Sequence, residues 1–284
     1  IAAADRVGYR PNPYARALVG SKAPLVKLVH SPHEMYIGNL KAASLLDELR
    51  RTDREIMVTD GPAMGDQIES LLWGRPEAIV FQYVSFADSL AELYLTLHDE
   101  GVHCIVADCH QLPDSQLPCD AASVDRAAGI ALGVEHLVAR GHHQIGLVCV
   151  ASQYGRTEAY EQVLERHGIA ERYIARFPSP KAAPGRTRES VLAMAARGIT
   201  EELLRDSPQI TALMCGSDMI ALGAIGAAAA AGRHIPTDLA LVGFHGEPWT
   251  EMLPVPLTTV TEPVSEICAL ATTTLRARLA GSTE

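Results

Sequence analysis

The sequence predicts an α/β protein of two lobes, each a parallel sheet with helices on both faces. Apolar runs at 25–29, 55–59, 78–83 and 103–107 alternate with helical stretches near 37–51, 64–73 and 86–100, the pattern of strands joined by helical crossovers. A second series of the same kind follows, with helix 127–140, strand 144–150, helix 155–167, strand 173–177 and helix 187–205, closed by a strand–helix–strand unit at 211–246. Two short segments, 122–125 and 257–261, stand between the series and are expected to cross between the lobes. The last helix, near 262–279, then returns to the first lobe and makes both domains discontinuous. The expected division is 1–23 for an arm, 24–124 plus 258–284 for the first lobe and 125–257 for the second.

The unit at 211–246 organises the rest. An apolar run at 211–215 is broken by Gly216, Ser217 and Asp218. Ser217 is a good N-cap, and Asp218 in the first turn suits the positive end of the helix dipole. Residues 219–231 are apolar on every side, which in a chain of this polarity means a helix pressed between neighbours. Gly223 and Gly226 each cost roughly 1 kcal/mol against Ala inside that helix, tolerable where backbones approach closely. Gly232 ends the helix, Pro236 bars its continuation, and 239–244 forms a second buried strand. The unit places Ser217-Asp218 beside His245-Gly246 at the carboxyl ends of parallel strands, where open α/β sheets bind ligands.

Ahead of the first strand lies a different kind of sequence. Residues 1–7 read as the tail of a helix closed by Gly8, and Tyr9-Arg10-Pro11-Asn12-Pro13 is extended because each proline disfavours helix before it. Asn12 can cap a short helix over 14–19, with Pro13 at its first position. So short a helix is not stable alone. Residues 1–22 carry a balance of +3 while the whole chain of 284 residues carries −10, leaving −13 on the body. A small basic arm is therefore joined to an acidic body, and that body is unsuited to a nucleic-acid surface spread over the whole chain.

Composition narrows the rest. Hydrophobic residues make up 48% and charged ones 20%, so a sizeable core is expected. No apolar run approaches the roughly 20 residues of a membrane span, and no signal peptide opens the chain. Six cysteines show neither a CxxC pair nor metal spacing and are expected to be buried reduced thiols. Trp73 falls on a helix at core spacing and is read as packing.

Tyr9-Arg-Pro-Asn-Pro-Tyr-Ala-Arg-Ala-Leu18, Arg140-Gly-His-His-Gln-Ile-Gly146, Arg156-x-x-Ala-Tyr160, Gly216-Ser-Asp-Met-Ile-Ala-Leu-Gly223, Ile235-Pro-Thr-Asp238, Val242-Gly-Phe244 and Pro256-Leu-Thr-Thr-Val260 follow one another in a shared order and spacing. Together they resemble the LacI/GalR (lactose-repressor) family of bacterial transcription regulators over nearly the whole chain. The resemblance implies two Rossmann-like lobes joined by crossover strands in the manner of a type I periplasmic binding protein. It also implies a cytoplasmic homodimer that grips operator DNA and needs no cofactor or metal. An effector, a small sugar or sugar acid, would enter between the lobes and change their relative angle. The arm 1–23 would be the remnant of the DNA-binding headpiece and the hinge helix. Two departures stand against the pattern: the helix-turn-helix is absent apart from its last residues, and the family's final strand after the last helix is missing.

On the same resemblance Leu18 is the apolar wedge pushed between base pairs while Arg16 meets phosphate, with Ala15, Asn12 and Tyr9 completing the DNA-contacting set. Arg156 is the guanidinium that forks onto ligand hydroxyls or carboxylate. Asp218 is the pocket acid, and Ser217 stands where the family often has Asn. Asp108, at the end of the strand beginning at His103, and Asp125, after 122–124, are placed to accept hydrogen bonds from sugar hydroxyls. His33, Met35 and Tyr36 occupy the first strand–helix loop, and Trp249 can stack on a sugar ring. His245 replaces the Asp common in sugar-responsive members, as in the gluconate-type branch. With Arg156 it is expected to form a cationic pair, which favours an acidic sugar.

Plainer roles compete for most of these positions: a cap for Ser217 and Asp125, a helix-start charge for Asp218, a surface side chain for Arg156. Catalysis is not expected, because no GxSxG, GxGxxG, P-loop or HExxH is present and the histidines are scattered. The alternative is a stand-alone periplasmic-like sugar receptor, which the basic stretch 9–18 disfavours.

Overall fold

A computed structural model describes residues 24–30, 36–60, 68–84, 89–109, 116–152, 155–181 and 184–282. The DNA-contacting candidates Tyr9, Asn12, Ala15, Arg16 and Leu18 lie outside these residues, as do His33 and Met35.

The chain divides into two compact units. In the first, β1 (Leu25–His30), α1 (Tyr36–Leu49), β2 (Glu55–Asp60), α2 (Ile68–Leu72), β3 (Ala78–Val84), α3 (Ser89–Asp99), β4 (His103–Cys109) and β5 (Cys119–Ala122) build a sheet of order β2-β1-β3-β4-β5. Every pairing is parallel. Side chains of a strand alternate between faces, and the inner strands are largely buried on both. Val26, Leu28, Val80, Ile105 and Ala107 pack on one side, and Val29, Ile79, Phe81, Cys104 and Val106 on the other. Burial on both faces explains why the strands read as continuous apolar runs. The final helix α8 (Val264–Leu279) belongs to this unit and lays Ile267, Cys268, Ala271 and Leu275 on the Val26 face. Arg278 closes that contact with a two-pronged bond to Asp120, Nε to Oδ2 at 2.8 Å and Nη2 to Oδ1 at 2.7 Å.

The sheet and helices of the second unit come from one stretch, Asp125–Glu262, and Tyr36 and Ile37 at the start of α1 are grouped with it. It contains α4 (Arg126–Ala139), β6 (Ile145–Val150), α5 (Arg156–Arg166), β7 (Tyr173–Phe177), α6 (Arg188–Asp206), β8 (Ala212–Cys215), α7 (Asp218–Ala230), β9 (Ala240–His245), a 3-10 turn (Pro248–Met252) and β10 (Thr258–Thr261). Its sheet, again wholly parallel, has the order β10-β9-β8-β6-β7. The α4/α5 face buries Ile130, Val134, Tyr160 and Val163, and the α6/α7 face buries Leu192, Ala196, Ile220 and Ala224. Gly223 has a packing reason: a Cβ there would run into the Ala193 carbonyl and the Ala196 methyl of α6. Tyr160 pins its face, donating to the Ile145 carbonyl at 2.7 Å and accepting from Tyr173 N–H at 3.2 Å.

Three expectations change. The segment 122–125 passes from the first unit to the second as expected, but only its first residue is in a strand: β5 ends at Ala122, and Asp125 is the exposed cap of α4, accepting from Ala128 N–H at 2.8 Å. Residues 258–262 stay with the second unit because β10 pairs with β9, and the return to the first unit starts at Pro263. Trp73 follows α2 and is 63% exposed rather than packed in a core.

Candidate functional site

In the second unit, the carboxyl ends of β8, β9 and β10 meet the first turns of α4, α5 and α7. Arg156 opens α5 behind Gly155, whose φ of +72° is natural for glycine. The guanidinium is 1% exposed, donates from Nη1 to the Gly216 carbonyl and lies 4.7 Å from the ring centroid of Phe244. It is no surface residue.

Ser217 caps α7, its hydroxyl accepting from Ile220 N–H at 3.2 Å. Asp218 is wholly buried and already engaged: it accepts from Glu247 N–H at 2.8 Å and from the Thr259 hydroxyl at 2.6 Å. Its carboxylate lies against Gly243, where any Cβ would collide with it, so it ties α7 to β9 and β10. Burial pushes its pKa up to about 6, against the pull of the donors from Glu247 and Thr259.

His245 ends β9 with φ of +112°, a conformation few side chains adopt. Its ring sits edge-to-face with Phe244 and lies between two glutamates, Nδ1 4.0 Å from Glu247 Oε1 and Nε2 3.9 Å from Glu262 Oε1. Arg126, the first residue of α4, approaches the same Glu262 oxygen at 3.5 Å. Glu247 is 1% exposed; burial raises its pKa and the Asp218 charge adds to the rise, while the Trp249 indole N–H donates to its Oε2.

The structure therefore brings Arg156, Ser217, Asp218, His245 and Trp249 together, and adds Arg126, Phe244, Glu247, Thr259 and Glu262. The expected cationic pair of Arg156 and His245 changes character. Three carboxylates share the space with two guanidiniums and the imidazole, so the centre has no surplus of positive charge. Trp249 is committed to Glu247 and lies half-buried.

The remaining candidates belong elsewhere. Asp108, at the end of β4 with φ of +68°, is 1% exposed and paired with Lys41 of α1 at 2.6 Å. Gln82 of β3 donates nearby to the Gly38 carbonyl at 3.1 Å. Tyr36 opens α1, with 43% of its surface exposed. Among the described residues no group of three His, Cys, Asp or Glu could hold a metal ion, and no helix is long and apolar enough to cross a membrane.

Comparison with known proteins gives the chain its relatives. The model of the periplasmic binding protein-like domain matches residues 134–284. The HTH-type transcriptional regulator MalR of Streptomyces coelicolor is 30% identical over 244 residues, which cover 79% of this chain and 64% of MalR. The chain thus spans just under two thirds of that relative's length. The crystal structure of the lac repressor dimer bound to operator and the anti-inducer ONPF has a TM-score of 0.76 at 21% identity, covering 97% of this chain and 93% of the repressor chain. A LacI family regulator from Enterococcus faecium with bound ribose has a TM-score of 0.73 at 19% identity, covering 92% of both chains. At these identities the two structures speak for the fold. With a family model over more than half its length, the chain belongs to the periplasmic binding protein-like domain family, in its LacI/GalR branch.

Proposed function

We propose that this chain is the effector-binding and dimerisation core of a LacI-type transcription repressor, a cytoplasmic regulator rather than an enzyme, and that its effector is a small neutral sugar. The observation that carries the reading is the buried Arg156 over Phe244, beside an acceptor-rich rim of His245, Glu247 and Glu262 at the carboxyl ends of the second sheet. A guanidinium donates to sugar oxygens, the ring offers an apolar face, and carboxylates accept from hydroxyls. An acidic sugar suits this rim less, since each nitrogen of His245 already faces a carboxylate.

MalR supports the regulatory role, the ribose complex supports a sugar effector, and the lac repressor dimer on its operator supports a homodimer that grips DNA. We assign the dimer contact to the apolar groove of about 520 Å³ along Ile225, Ala229, Leu253, Pro254 and Val255, next to the 77% exposed Met252.

Thermal melting with matched neutral and acidic sugars tests the effector, since a ligand of the folded state raises its melting temperature. Neutral sugars should stabilise the protein, and Arg156→Lys should remove the effect. Stabilisation by acids alone overturns the neutral assignment; no response to any sugar overturns the sensor reading. Light scattering should show a dimer, and a monomer at micromolar concentration would refute the assigned contact.

A further inference from the structure

Lys27 is a charge in an apolar strand. It lies between Val26 and Leu28 in β1, an inner strand of the first sheet, and is 1% exposed. Its register partner is Met57 of β2, so its side chain leaves the sheet on the face that also carries Met57 and Thr59. There Nζ donates to the Ser70 carbonyl at 2.6 Å and stands 5.9 Å from the centroid of the Trp73 ring. An ammonium has three donors, and this bond uses one. Among the described residues no carboxylate is paired with it. Burial pushes the amine's pKa down.

The amine opens onto a pocket of about 350 Å³ lined by Lys27, Met57, Thr59, Glu69, Ser70 and Trp73. This volume suits a ligand of about one ring. We propose that the pocket binds a small planar organic monoanion, an aromatic carboxylate, whose carboxylate pairs with Lys27 while its ring stacks on Trp73. The anion supplies the counter-charge that the strand lacks. The Thr59 hydroxyl offers a second donor, and the 63% exposed Trp73 gains a cover. Glu69 is solvent-exposed on the lining and disfavours a second negative group on the ligand. The site lies wholly in the first unit and does not rest on the sugar reading.

Calorimetric titration with benzoate, and with benzamide as its neutral isostere, tests the proposal. Benzoate should bind the wild type at least about tenfold more tightly than benzamide. Lys27→Met should lose that preference, and Trp73→Ala should weaken the binding of benzoate and benzamide alike, while both variants melt as folded proteins. Affinity should fall as pH rises through the lowered pKa of the amine, because only the ammonium pairs with the anion. Trp73 is exposed, so its replacement keeps the test open if Lys27→Met fails to fold. Benzoate binding no tighter than benzamide, no heat from benzoate up to about 10 mM, or full affinity in either variant overturns the proposal.

Discussion

Asp218→Asn should remove a pH dependence of stability that the wild type carries. Burial raises the folded-state pKa from 3.8 to about 6. Between those values the folded chain holds a proton that the unfolded chain has released, so stability falls as pH rises through the window and levels off above it. Two units correspond to roughly 3 kcal/mol at about 1.4 kcal/mol per unit. Asn keeps the shape: its oxygen can accept from Glu247 N–H and its amide can donate to the Thr259 hydroxyl, which turns to receive it. It also relieves Glu247, whose pKa the Asp218 charge helps to raise. Urea unfolding followed between pH 4 and 7 should therefore show the variant gaining on the wild type by about 2–3 kcal/mol as pH rises. A constant difference would refute the reasoning. A difference of opposite sign would mean that the donors around Asp218 outweigh its desolvation and hold its pKa below the usual range.

Gly223→Ala should destabilise the second unit by about 1–3 kcal/mol, read as a lower urea midpoint, because the methyl meets the Ala193 carbonyl of α6. Tyr160→Phe should cost about 1–2 kcal/mol in the same assay, since it takes a donor from the Ile145 carbonyl and an acceptor from Tyr173 N–H. Arg278→Ala should speed hydrogen exchange along α8 by about tenfold, while amides of the second unit keep their protection.

The strands were legible because the inner strands of each sheet are covered on both faces, which leaves apolar runs bounded by turns. β5 was not: Cys119–Ala122 is four residues at a sheet edge with Asp120 among them. Arg156, Ser217 and Asp218 come together as the sequence suggested, because each follows a break after a strand at the carboxyl edge of the second sheet. Arg126, Glu247 and Glu262 could not be picked out, since they come together only when β9 pairs with β10 and α4 packs beside them. The surroundings of His245 could not be read from the sequence for the same reason. Read alone it is a donor; its two carboxylate neighbours are separated from each other by 15 positions of chain. Trp73 kept helical spacing but had no core partner to meet, a matter of where α2 ends.

The way the units are threaded sets an order of assembly on the ribosome. Every strand of the second unit lies within Asp125–Glu262, so its sheet can close once β10 has emerged. The first cannot, because the helix carrying Ile267, Ala271 and Leu275 is made only after β10. Roughly 140 residues separate β5 from that helix, and at about 5–20 residues per second the wait is on the order of ten to thirty seconds. For that interval Val26, Val80 and Ile105 present a bare apolar surface, and Asp120 has no arginine to hold. The first sheet is thus the part of the nascent chain most in need of a chaperone's cover, and the second domain is finished before the first.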